Sequence, residues 1–167
     1  MAVGKFLAGV FGLTWNPETQ KYLILQRSGD RDHAPGVWEC ISGRVDQGEG
    51  FAEALQREGR EELGVDLHFE FIVGTVHFYR GPRTPEYELV GLVCFCTLDH
   101  PEKIQISAEH AQYRWVSVPE VVQMLPEEGR KVRFIHDVIH RAEDIRKQLT
   151  PELQKILSQS GLEIKLS

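Results

Sequence analysis

The sequence predicts an α+β fold, a layered α/β/α domain in which a few helices cover a sheet. Three observations point there. Apolar and aromatic runs of strand length recur between residues 6 and 118. Few stretches carry the three–four apolar spacing of an amphipathic helix, and these do not alternate one for one with strands as a regular βαβ repeat requires. Finally, 167 residues that are 41% hydrophobic are enough chain for one domain with a real core.

The elements follow in order. Residues 6–15, "FLAGVFGLTW", read as a first strand, "NPETQK" at 16–21 as a turn, and "YLILQR" at 22–27 as a second strand closing a hairpin. A polar loop over 28–36 leads to an extended stretch over 37–45, which "DQGEG" breaks. Residues 51–63 form a helix, stopped by Gly64. Strands over 67–79 and 87–98 flank the loop "RGPRTPE". A short strand over 113–118 precedes Pro119, which opens a helix reaching residue 125. Further on, Ile135, Val138, Ala142, Ile145 and Leu149 alternate at three and four, the mark of an amphipathic helix over 131–149. Thr150-Pro151 then supplies a cap and first position for one more short helix. The expected organisation is a single domain over residues 1–167, with a core at about 5–126 and a helical extension at about 130–160. The seam of the long helix is narrow, and two heptads are short for a free coiled coil. It is therefore expected to pack on its own domain, near residues 121–125, with a homodimer as the alternative to a monomer.

Composition narrows the partners. With 19 Lys and Arg against 25 Asp and Glu, the formal net charge is −6. A polymeric nucleic acid would need a basic face, whereas a small anion carried in with a metal ion is compatible. Three cysteines, an odd number, fit reduced thiols and a cytoplasmic setting better than a disulfide framework. No window approaches the ~18 apolar residues of a membrane span. The apolar start, "MAVGKFLAGVFGLTW", runs into a polar turn without a cleavage site and reads as strand.

The helix over 51–63 is built against itself. Glu58, Glu61 and Glu62 stand within an arc of about 100°, and each neighbouring like-charge pair costs ~0.2–0.5 kcal/mol. Gly59 in the middle costs roughly another 0.8–1 kcal/mol against alanine. Ala52, Leu55, Gly59 and Leu63 form the apolar stripe beside the acidic face, and glycine there allows close approach of a neighbouring sheet. One reading is a solvated face on which Arg57 pairs with Glu53 and Glu61. The other is a set of carboxylates gathered for a hard divalent cation. The wider spacing favours the second. It runs Gly43, five residues, Glu49, seven residues, then Arg57-Glu58-Gly59-Arg60-Glu61-Glu62-Leu63-Gly64-Val65. This resembles the Nudix box, G-x5-E-x7-R-E-U-x-E-E-x-G-U with U a bulky aliphatic, and departs from it only at Gly59. The resemblance extends to the order of elements over roughly residues 6–125.

The resemblance to Nudix hydrolases of the MutT-like kind implies an α/β/α sandwich around a mixed sheet. It implies hydrolysis of a nucleoside diphosphate linked to another moiety, with Mg²⁺ or Mn²⁺ as cofactor. Carried onto this chain, Glu58, Glu61 and Glu62 would face the metal, with the Ser42 carbonyl as a further ligand. Glu58 would also activate water. Arg57, grouped with the catalytic residues, and Glu49 would orient the acidic helix, and Gly43 and Gly64 would frame the box. The stretch "SAEHAQYRW" resembles the E-H-x-x-Y-x-W segment of dihydroneopterin triphosphate pyrophosphatases and asymmetric dinucleoside tetraphosphate hydrolases. It nominates Glu109 as an outer ligand or alternative base. Arg27 at a strand end is a candidate for a substrate phosphate, and Trp38 and Tyr79 are candidates for stacking on a base, with core packing as the alternative. The expected activity is cleavage of a nucleoside triphosphate or dinucleoside polyphosphate. The alternatives are an ADP-ribose or nucleotide-sugar pyrophosphatase, and a nucleotide-binding sensor, which the intact box carboxylates oppose. His136 and His140 read as a helix-surface pair, Cys94 and Cys96 as core residues, and Ser42 stands where Nudix-like isomerases place a catalytic cysteine.

Overall fold

Strand β1 (Leu7–Asn16) organises the sheet because nearly all of it is apolar or small. In the computed structural model, which describes residues 5–30, 34–125 and 130–164, Phe11, Leu13 and Trp15 face one side and Val10 with Gly12 the other. One edge of β1 pairs in parallel with β6 (Glu88–Thr97), from Leu7 to Thr14. The other edge is shared. Antiparallel β4 (Ile41–Arg44) takes Gly9 to Gly12, and β2 (Lys21–Arg27) takes Trp15 and Asn16. Beyond them, β5 (His68–Tyr79) extends β6, while β3 (Trp38–Glu39) and β7 (His110–Val116) flank β2. The mixed sheet therefore splits along β1 into β4-β1-β6-β5 and β3-β2-β7. The expected hairpin of β1 and β2 is present, its turn closed by Asn16 Oδ1, which accepts the Glu18 and Thr19 N–H groups at 2.9 and 3.1 Å.

Helix α1 (Phe51–Leu63) covers one face, over Val10, Leu23, Leu25, Ile41, Cys94 and Cys96. Helices α2 (Val118–Met124) and α3 (Arg130–Gln148) cover the other, over Phe11, Leu13, Trp15, Tyr22 and Phe95. This is the expected sandwich. With both faces covered, its central strands are apolar on both sides. Each fully buried aliphatic or aromatic side chain contributes about 1.5–3 kcal/mol. Helix α4 (Pro151–Ser160), capped by Thr150 Oγ1 on the Leu153 N–H at 3.3 Å, packs along β5.

Several expectations are corrected. Strand β7 begins at His110, not at residue 113, because its pairing with β2 continues to Arg27 opposite His110. Ser117 caps α2, accepting the Glu120 N–H at 3.4 Å, so Pro119 is the second helical residue rather than the first. The α3 seam packs on the sheet as well as on α2. Ile135, Val138, Ile139 and Ala142 are buried there, a wider stripe than one partner helix needs. His136 is not on the surface: it is 2% exposed, and among the described residues neither ring nitrogen has a hydrogen-bond partner. Its ring centroid lies 6.3 Å from that of His140, which is exposed. Cys40, Cys94 and Cys96 are free and buried, as core residues are.

Candidate active site

The site starts from how α1 is turned. Burying Ala54, Leu55, Gly59 and Leu63 also rotates Glu58 and Glu62 inward, to 9% and 4% exposure, and of the three clustered glutamates leaves Glu61 in solvent. The buried stripe thus runs through Ala54 rather than Ala52, which is half-buried. Gly59 does permit a close approach, but by the segment leaving the helix. A Cβ there would stand 2.7 Å from Leu67 Cγ. At Gly43, on β4, a Cβ would overlap the Glu58 carboxylate, so glycine is what lets that side chain lie over the strand. Gly64 closes α1 in the left-handed conformation at φ 71°, its N–H bonded to Arg60 O at 3.0 Å.

Arg57 is a brace. Its Nε and Nη2 donate to the two carboxylate oxygens of Glu49, each at 2.9 Å, the paired geometry that suits a guanidinium. Nη2 also donates to the Arg44 carbonyl at 2.8 Å, tying α1 to the end of β4. Nη1 reaches Glu58 Oε1 at 2.6 Å and Glu61 Oε2 at 3.4 Å. Glu53, a proposed partner of Arg57, bonds the Gly50 N–H instead, at 3.1 Å. Arg57 therefore holds Glu49 below the usual carboxylate range, and the bond to Glu49 is the chief cause that raises its own pKa.

Five further carboxylates, Glu39, Glu58, Glu61, Glu62 and Glu109, act on one another. Burial pushes the Glu58 pKa up; Arg57 opposes the shift, and Glu61 and Glu109 add to it. Glu62 is pushed well above its ordinary value by burial first, then by Glu39, Glu58 and Glu109, against a hydrogen bond from the Ser42 backbone. Its Oε2 has no hydrogen-bond partner among the described residues. The sequence-derived candidates Glu58, Glu61, Glu62, Glu109, Ser42, Gly43, Glu49 and Arg57 therefore come together. Among the described residues, however, no three His, Cys, Asp or Glu side chains form a ready-made metal cage. Glu58 is engaged with Arg57 instead.

Three residues of the site had no signal in the sequence. Glu39 is one: its Oε1 accepts Arg27 Nη1 at 2.8 Å and lies 3.3 Å from Nε2 of buried His110. The pairing explains the trio, since Leu25 of β2 opposes Glu39 and Arg27 opposes His110. The same strand end brings in Glu109, whose carbonyl accepts the Ser28 N–H at 2.9 Å. Arg44 and Arg80 are the others. Half-buried Arg80 follows β5; burial, then the charges of Arg44 and Arg27, hold its guanidinium below the usual range, against the opposing pull of Glu39. Trp38 and Tyr79 are half-buried; Trp38 packs against the core that holds Leu13 and Tyr22, with Arg114 at 5.6 Å from its ring centroid, and Arg83 stands at 5.5 Å from that of Tyr79.

The chain is similar to known proteins in sequence and in fold. The NUDIX domain matches residues 5–138. The nucleoside triphosphatase NudI of Escherichia coli O139:H28 (strain E24377A / ETEC) is 32% identical over 108 residues, which is 60% of this chain and 76% of that protein. In fold, the chain resembles the MutT protein from Methanosarcina mazei Go1, with TM-score 0.68 and 23% identity over 89% of this chain and 100% of that one. A C. elegans Ap4A hydrolase, solved as a binary complex, matches with TM-score 0.64 and 18% identity over 88% of this chain and 100% of that one.

Proposed function

The chain belongs to the NUDIX family and is a Nudix hydrolase, and from that premise we propose that it cleaves the pyrophosphate linkage of a nucleoside triphosphate or a dinucleoside polyphosphate in a Mg²⁺-dependent reaction. The observation that carries the reading is the meeting of two opposite zones. Glu39, Glu58, Glu61, Glu62 and Glu109 crowd one side, and Arg27, bonded to Glu39 at 2.8 Å, links them to Arg80, which also feels the charge of Arg44. A polyphosphate with a divalent cation answers both, its phosphate oxygens to the arginines and its cation to the carboxylates. The names of the NudI relative and the Ap4A hydrolase neighbour support that substrate class.

Nudix hydrolases generally use divalent metal ions, and the residues here fit one. The donors are all oxygens, burial and the neighbouring carboxylates raise the pKa of Glu58 and Glu62, and Glu62 Oε2 lacks a partner among the described residues. Glu58 and Glu62 would hold the ion, with Glu61, Glu109 and the Ser42 carbonyl completing its shell. When bound, it neutralises phosphate charge and lowers the pKa of a coordinated water.

The rest falls to the protein's own groups. Water attacks one phosphorus and its proton passes to Glu58, or to Glu109 from the opposite strand end. The bond from that phosphorus to the bridging oxygen breaks, and the leaving phosphate keeps the electron pair. Arg57 restrains Glu58 and fixes α1 to β4. Arg27, oriented by Glu39, grips a phosphate with Arg44 and Arg80, while Trp38 and Tyr79 offer ring faces to a base. The net charge of −6 suits a small nucleotide substrate rather than a polymeric nucleic acid, and three buried free thiols fit a cytoplasmic setting.

A panel of nucleoside triphosphates, dinucleoside polyphosphates, ADP-ribose and nucleotide sugars, with and without Mg²⁺, tests the reading by product mass. The expected result is Mg²⁺-dependent release of a nucleoside monophosphate and pyrophosphate from a triphosphate, or the corresponding split of a dinucleoside polyphosphate. Turnover confined to ADP-ribose or a nucleotide sugar moves the substrate class. Tight nucleotide binding without any turnover replaces the enzyme with a sensor.

A further inference from the structure

The helical extension does more than complete a face of the sandwich. Helix α3 lies over the side of the sheet that carries Phe11 and Phe95. Helix α4 then runs along β5, with Leu157 on that same core and Gln154 Nε2 donating to Glu70 Oε2 at 3.5 Å. Past Gly161 the chain reaches the opposite face, where Leu162 packs into the core beneath α1. The next residue, Glu163, meets the first turn of α1. Its Oε1 accepts the Phe51 N–H at 2.7 Å.

That contact fills a gap in α1 itself. The N-cap is Gly50, which has no side chain to accept a first-turn N–H. A Cβ at Gly50 would stand 2.5 Å from both oxygens of Glu163, so glycine is what admits the incoming carboxylate. An acceptor oxygen with a negative charge is the group best suited to a helix N-terminus, both for the exposed N–H and for the helix dipole. The need is real here, because α1 carries Glu58, Glu61 and Glu62 and a glycine at 59, all of which weaken it.

We propose that Glu163 is a positioning residue for hydrolysis: reaching across from the C-terminal extension, it caps α1 and so holds the Glu49–Arg57–Glu58 brace at its working distance from β4. This rests on the reading of α1 as the catalytic helix. Glu163 touches neither substrate nor reacting atoms. It acts through the first turn, two residues from Glu49 and two turns from Glu58.

The test compares Glu163→Ala and Glu163→Gln with the unaltered protein, by backbone amide exchange and by steady-state kinetics. Glu163→Ala should speed exchange at residues 51–54 about five-fold, the size of one lost cap, and leave the amides of α3 unchanged. It should lower kcat by about the same factor and raise the Mg²⁺ concentration for half-maximal rate, with KM for nucleotide moving less than roughly two-fold. Glu163→Gln keeps the acceptor oxygen and should recover much of the loss. Unchanged exchange and unchanged kcat in Glu163→Ala would overturn the proposal. So would equal losses in both variants spread over every helix, since that pattern marks general loosening. Should the unaltered protein hydrolyse no nucleotide, the assigned activity falls, and exchange at residues 51–54 alone decides whether Glu163 caps α1.

Discussion

Glu62 shows the tension in the site at the scale of one residue. It is 4% exposed, surrounded by Glu39, Glu58 and Glu109, and one of its oxygens has no partner among the described residues. Its folded-state pKa is therefore raised above the unfolded value. Between the two values the folded state holds the extra proton, so stability falls as pH rises through that window, and the penalty is complete above the folded value. Glutamine keeps the shape and removes the charge. Glu62→Gln should therefore raise the melting temperature of the metal-free protein at neutral pH by about 2 °C or more, and the gain should shrink as the pH is lowered. Scanning calorimetry at two pH values checks this. A variant that melts lower than the native protein at neutral pH would mean that the carboxylate is satisfied rather than strained.

At the scale of elements, the limits of reading from sequence are physical. The bounds of α1 were legible because apolar spacing starts it and Gly64 ends it, and its acidic residues were legible because like charges at i, i+3 and i+4 need a reason. Its rotation was not, since a shift of the stripe from Ala52 to Ala54 depends on what Leu67 and Gly43 present to the helix. Glu39 carried no signal at all. Its role arises from pairing among β2, β3 and β7, which are far apart in the chain. Arg44 and Arg80 were hidden for the same reason. Helix α3 was legible as amphipathic, and its seam is filled by its own domain, with Ile145 packed against the core that holds Trp15 and Tyr22. Ile145→Asp places an unpaired charge in that seam. It should lower the melting temperature by roughly 5 °C and leave the mass in solution unchanged. A native dimer that the substitution converts to monomer, seen by light scattering, would give the seam to a partner instead.

Across the whole molecule, the split sheet is what builds the site. Strand β1 gives one edge first to β4 and then to β2, so the α1 carboxylates from one half meet Glu39, Glu109 and Arg27 from the other. A site assembled from two halves under mutual repulsion should tighten when a cation enters. Millimolar Mg²⁺ should raise the melting temperature, increasingly with concentration, and a non-hydrolysable nucleotide should add to the shift, because binding to the folded state alone stabilises it. A melting temperature indifferent to both would mean that the carboxylates do not gather a metal. No helix among the described residues is long and apolar enough to cross a membrane. The most direct test of the account is the rate of nucleoside triphosphate hydrolysis at saturating Mg²⁺ for the native chain, Glu58→Gln and Glu62→Gln. Each substitution should lower kcat on the order of 10²-fold or more while the fold is retained; hydrolysis by both variants at the native rate would show that the carboxylates of α1 are not the catalytic centre.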